Sequence, residues 1–144
     1  MLPHHITTKG ITIAELDAIV REGSHIALGP DAAAAVERSH QWLQRKLAES
    51  NDAIYGVNTG FGALADTRID KKDLATLQRN LVMSHACGSG APISADRVRA
   101  MLVLKVQSLA FGHSGVAPAT VQRLIDMHNM DMLTLFFKLF ALPT

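Results

Sequence analysis

Apolar residues recur at helical spacing in five stretches of the 144-residue chain, and most of these stretches carry their own start or stop signals. Ile13, Leu16, Ile19 and Val20 form the first stripe; Thr12 and Glu15 stand three apart, as in a capping box, and Gly23 lies beyond the end. After a possible short strand over His25 to Leu28, Pro30 occupies a first-turn position. Ala32 to Val36, Trp42, Leu43 and Leu47 then continue a second helix to about Glu49. Leu74, Leu77, Leu81 and Val82 mark a third helix. Ser94 can cap a fourth, in which Val98, Met101, Leu102, Leu104, Val106 and Leu109 cover so much of the circumference that burial on several sides is expected. Pro118 opens a fifth with Val121, Leu124, Ile125 and His128 on one face. His4 and His5 read as a frayed terminus. No alternating run exceeds three or four residues and no repeat is visible, so the fold class predicted is all-α.

Helical periodicity stops between Asn51 and Asp66, where glycines punctuate Tyr55-Gly56-Val57-Asn58-Thr59-Gly60-Phe61-Gly62. Gly60 to Ala65 formally matches G-x-G-x-x-A. A dinucleotide site would also need a preceding strand and an acidic residue about 20 positions on, and Asp73 comes too early and Asp96 too late. No Gly-Lys-Ser/Thr follows, which excludes a P-loop. Tyr55 presents a phenol beside backbone that other groups can approach closely, so it serves either as a base or as a packing group at the start of a turn. His85, at the exit of the third helix, can bind a ligand or cap that helix. Cys87 follows it and reads as a small buried cysteine. The remaining histidines lack metal-ligand spacing, so no metal is expected.

Composition narrows the classes of partner. With 48% hydrophobic and 19% charged residues the chain has the makings of a globular core, and a formal charge of +1 offers no field for nucleic acid. A single cysteine suits a reducing compartment, the cytoplasm for preference. His4, His5, Thr7, Thr8 and Lys9 interrupt any signal-like apolar run. The longest apolar stretch, Leu133 to Leu142, contains Lys138 and falls well short of the roughly 20 residues needed to span a bilayer, so no membrane association is expected.

Tyr55 to Gly62, then Leu77-Gln78, Leu81 to Gly88 with its Ser84-His85 pair, and Leu102 to Gly115 resemble the N-terminal part of the aromatic amino acid ammonia-lyases in order and register. The resemblance covers residues 10 to 133 and implies the N-terminal portion of the ammonia-lyase/aspartase-like helical fold. Ser84-His85 is similar to the histidine ammonia-lyase version of a pair that reads Phe-Leu or His-Leu in the phenylalanine and tyrosine enzymes. L-Histidine is therefore the implied substrate, with urocanate and ammonia as products. The resemblance makes Tyr55 the base that removes the β-proton, His85 a contact for the substrate side chain, and Gly62 the point of close loop approach. The family's electrophile is a methylidene-imidazolone formed from an internal Ala-Ser-Gly, a triplet absent from these 144 residues; Gly88-Ser89-Gly90 and His113-Ser114-Gly115 read as turns. Residues 1–133 are thus expected to form a domain that is inactive by itself, followed by a divergent Phe-rich tail over 134–144. A homo-oligomer is implied, with Leu102, Val106, Leu109, Phe136, Phe137 and Phe140 as expected contributors to association. The competing expectation is a non-catalytic helical module that oligomerises or binds a partner.

Overall fold

The computed structural model describes residues 2–50, 52–86 and 91–132. Cys87, Gly88-Ser89-Gly90 and the Phe-rich tail lie outside the described residues.

The chain is mainly helical. Its elements in order are β1 (His4–Ile6), α1 (Ile13–Glu22), β2 (Ile26–Leu28), α2 (Pro30–Glu49), α3 (Leu74–His85), α4 (Ala95–Ala110) and α5 (Pro118–Asn129). The capping box is present: the Glu15 backbone N–H donates to Thr12 Oγ1 at 3.2 Å and the Thr12 N–H donates to Glu15 Oε2 at 2.8 Å. Gly23 closes α1 in the left-handed conformation, at φ 63°. Pro30 and Pro118 both sit in first turns, where a missing N–H costs nothing. Ser94 occupies the N-cap position of α4 with extended backbone, but its side chain makes no cap bond.

The His4–His5 segment corrects the sequence reading. It is not frayed: His4–Ile6 pairs in parallel with Ile26–Leu28, and α1 is the crossover that parallel pairing requires. Ile6 and Ile26 are each 1% exposed, and three-residue strands are too short to show an alternation in sequence. On the far side of β2, Asn129 acts as a further strand partner. Its Oδ1 accepts from the Ile26 N–H at 2.8 Å and its Nδ2 donates to the Ile26 carbonyl at 2.9 Å.

The core gathers around α4, which packs against α1, α2, α5 and β1. Val103 and Val106 are fully buried, and Leu102 and Leu109 nearly so. This overturns the expectation that Leu102, Val106 and Leu109 form an association surface, because those positions already face neighbouring elements. Met101 and Leu104 are the large apolar residues of that helix that stay exposed. The α4–α5 connection is seated on α2: Ser39 Oγ accepts from the Gly115 N–H at 2.9 Å, and His40 Nδ1 donates to the Gly115 carbonyl at 3.0 Å. Gly112, at φ 72°, lies so close to α2 that a Cβ there would stand 2.6 Å from the Ala35 carbonyl oxygen.

Candidate active site

The glycine-rich segment between α2 and α3 is held from inside by two buried polar residues, Asn58 and Thr59. Asn58 Oδ1 accepts from the Ile54 N–H at 2.7 Å, its Nδ2 donates to the Asp52 carbonyl at 2.9 Å, and its own carbonyl accepts from the Ile69 N–H at 2.9 Å. Thr59 Oγ1 accepts from the Gly56 N–H at 3.3 Å and donates to the Gly60 carbonyl at 3.0 Å. Thr59 also bridges Arg68 across the loop. At the foot of the loop Asp52 pairs with Lys46 at 2.6 Å, and that hydrogen bond, with a second from Ser50, holds its carboxyl below the usual range.

With Asn58 and Thr59 turned inward, Tyr55 and Phe61 are turned out. Tyr55 is 64% exposed and Phe61 39%. Gly56 adopts φ 71°, and a Cβ there would lie 3.2 Å from Phe61 Cε1, so this glycine leaves room for the ring. Gly62 also has a positive φ, 58°, but nothing stands within 4 Å of where its Cβ would be. Its lack of a side chain serves backbone shape and open space above the loop.

Helix α3 supplies the other half of the site. Gln78 Nε2 donates to the Val57 carbonyl at 3.2 Å and so ties helix to loop. At the helix end His85 is exposed, and its Nδ1 lies 2.8 Å from the Leu81 carbonyl and 2.9 Å from Ser84 Oγ. Its ring meets Phe61 edge-on, with centroids 5.7 Å apart and an interplanar angle of 89°. Phe61 in turn stands 5.5 Å from Tyr55 at 54°. The two residues singled out in the sequence, 30 positions apart, therefore meet through an aromatic bridge that sequence reasoning missed. Asn58 and Thr59 were also missed, although two small polar residues between glycines are a signal for side-chain-built turns.

The arrangement sets a phenol and an imidazole, each able to accept or donate a proton, on one accessible surface. Beneath the loop runs an apolar groove of about 750 Å³, lined among others by Leu43, Val57, Leu74, Leu109 and Leu124; Tyr55 and His85 do not line it. Among the described residues no three His, Cys, Asp or Glu side chains gather closely enough to hold a metal ion. No described helix is long and apolar enough to cross a membrane.

Residues 11–137 match the model of the family described as aromatic amino acid lyase. A histidine ammonia-lyase of Myxococcus xanthus is 44% identical over 123 residues, covering 85% of this chain and 24% of that protein. Another, from Paracidovorax citrulli, is 46% identical over a stretch of the same length and coverage. Among solved structures, a histidine ammonia-lyase from Trypanosoma cruzi superposes with a TM-score of 0.77 at 31% identity, over 89% of this chain and 25% of that one. The chain thus spans about a quarter of the length of the curated relatives it matches. A family match across nearly the whole chain, together with the same helical fold in its solved relatives, establishes that this protein belongs to the aromatic amino acid lyases.

Proposed function

We propose that this chain carries the base-bearing part of an enzyme that eliminates ammonia from L-histidine to give urocanate. The observation that carries the reading is the grouping of Tyr55, Phe61 and His85 on one exposed surface inside the family-matched segment. In this reading Tyr55 is the base that takes the proton from the substrate β-carbon as the C–N bond breaks and the amine departs. His85 meets the imidazole side chain of the substrate, and the open space at Gly62 lets the substrate approach the loop backbone. Activation of the departing amine would be supplied by the family's self-formed electrophile, held outside these 144 residues. Its parent Ala-Ser-Gly is not among the 144 residues, so turnover is expected only where these residues are joined to a segment that supplies it. A single cysteine supports a cytoplasmic setting.

The test is to graft residues 11–132 into the Myxococcus xanthus enzyme in place of its matched segment and to follow urocanate by ultraviolet absorbance. The graft is expected to turn over, Tyr55→Phe to reduce its rate at least 100-fold, and the isolated chain to give no urocanate. A Tyr55→Phe graft that keeps its rate would overturn the assignment of the base.

A second reading, that the chain associates through an apolar face, has its own support. Helix α3 has no buried residue, and Val82 and Met83 are 69% and 62% exposed. In the lyase reading this face belongs to a homo-oligomeric enzyme; in the other it is the function. Turnover by the graft separates the two.

A further inference from the structure

We infer that Ser84 and the Leu81 carbonyl lock His85 in the tautomer that carries its proton on Nδ1, leaving Nε2 as a fixed hydrogen-bond acceptor. Ser84 thereby becomes a specificity-positioning residue.

A carbonyl oxygen only accepts, so the 2.8 Å contact between Leu81 O and His85 Nδ1 requires a proton on Nδ1. Ser84 agrees. Its hydroxyl donates to the same Leu81 oxygen at 2.9 Å, which uses its only proton, and at 2.9 Å from Nδ1 it has just a lone pair to offer. Were Nδ1 bare, its lone pair would face the carbonyl lone pairs at hydrogen-bond distance, a repulsive arrangement. With Nδ1 turned back onto the helix, Nε2 on the opposite side of the ring points away from it. The edge-on contact with Phe61 fixes the plane of the ring. A neutral imidazole so held accepts at Nε2 and cannot donate there.

The consequence for substrate choice rests on the proposed contact between His85 and the substrate side chain. A fixed acceptor favours a side chain that brings an N–H or O–H, such as imidazole or phenol. A phenyl ring would leave Nε2 desolvated and unpaired, which is how a hydrogen-bonding site rejects an analogue lacking the donor. The residue before His85 thus sets the sign of the recognition, although it makes no contact with substrate itself.

The tautomer can be read without turnover. In the ¹⁵N-labelled chain at a pH of about 8.5, above the ordinary imidazole range, long-range proton–nitrogen correlations distinguish protonated from bare ring nitrogens. The His85 signal is assigned by its loss in His85→Gln. The expected pattern is Nδ1–H in the majority, opposite to the Nε2–H form that an unconstrained histidine favours. Ser84→Ala should shift the populations toward Nε2–H, Ser84→Thr should restore them, and unchanged far-ultraviolet circular dichroism would show α3 intact. Nε2–H as the majority form in the unaltered chain overturns the lock, and populations indifferent to Ser84→Ala overturn the part given to Ser84. In the graft, Ser84→Ala should raise KM for histidine about 5-fold with kcat little changed; a fall in kcat at constant KM overturns the specificity role. A graft that makes no urocanate while the chain shows Nδ1–H sinks the reaction and leaves the lock standing. An active graft with an Nε2–H ring does the reverse.

Discussion

Helices α3 and α4 both carry leucines and valines at helical spacing, yet they lead opposite lives. Seven residues of α4 are buried, Val103 and Val106 completely. None of α3 is. One is the axis of the core, clasped by α1, α2, α5 and β1, whereas the other is joined to the glycine loop by the Gln78 hydrogen bond and the Phe61–His85 ring contact. The packed core and the candidate site are thus housed in separate regions. The packed region holds its shape through apolar burial, and the site region through a local hydrogen-bond network centred on Asn58 and Thr59, with both candidate reactive rings exposed.

The largest contrast is expected from one substitution made in both regions. Gly112→Ala must fit a Cβ 2.6 Å from the Ala35 carbonyl in a left-handed conformation, and should cost roughly 3 kcal/mol or more in denaturant unfolding. Gly62→Ala, with a similar φ but open surroundings, should cost about 1 kcal/mol. Equal costs would break the division between regions. The same logic applies to Val106→Ala against Val82→Ala: the first removes two methyl groups from a fully buried side chain and should cost about 2 kcal/mol, while the second, at 69% exposure, should stay within about 0.5 kcal/mol.

Asn58→Ala sharpens the comparison differently. It deletes the bonds to the Ile54 N–H and the Asp52 carbonyl, each worth about 1 kcal/mol net. Amide hydrogen exchange at Ile54 and Ile69 should accelerate roughly 5- to 30-fold while the amides of Val103 and Val106 exchange as before. Equal acceleration in both places would mean that loop and core open as one unit.

The smallest effect expected is one of pH in the packed region. The Asp31 carboxylate accepts from the Thr8 N–H at 2.9 Å and the Thr8 hydroxyl at 2.7 Å, and these bonds, the backbone one foremost, hold its carboxyl below the ordinary range. A depressed folded value means that the stabilisation is complete above the unfolded-chain value of about 4 and fades as the pH falls through the lower folded value. The melting temperatures of the wild type and Asp31→Asn should therefore converge on acidification from neutrality to about pH 3. A gap that stays constant would remove Asp31 as the source.

Much of the helical framework was legible before folding was considered, because each signal acts within a turn or two of its own backbone. Thr12 and Glu15 satisfy each other's N–H groups wherever α1 goes, Pro30 and Pro118 are pre-set for first turns, and Gly23 reaches φ 63° without a steric penalty. The family was legible for a related reason: the motifs that contain the candidate residues Tyr55 and His85 resemble a known family in their order along the chain, and a family model matches residues 11–137. Motif order says which residues matter but not what surrounds them.

Tertiary structure decided what depends on distant partners. The pairing of His4–Ile6 with Ile26–Leu28 spans 22 positions and is completed by Asn129 from the opposite end of the described chain, so His4 and His5, which look frayed, become part of a paired strand that buries Ile6. Leu102, Val106 and Leu109 were expected to contribute to association because a part of a larger helical enzyme should expose apolar helix faces, and only the packing of their neighbours shows that these three are already covered. Phe61 gave no sign in sequence that it would stand between Tyr55 and His85. That contact arises because Asn58 and Thr59 fold inward beneath it and Gln78 draws α3 against the loop. Local hydrogen bonding and sterics are written residue by residue, so the sequence by itself determined where helices start and stop and to which family the chain belongs. Burial and ring contacts between remote segments exist only once the chain has closed on itself, so the core's composition and the shape of the site belonged to the fold.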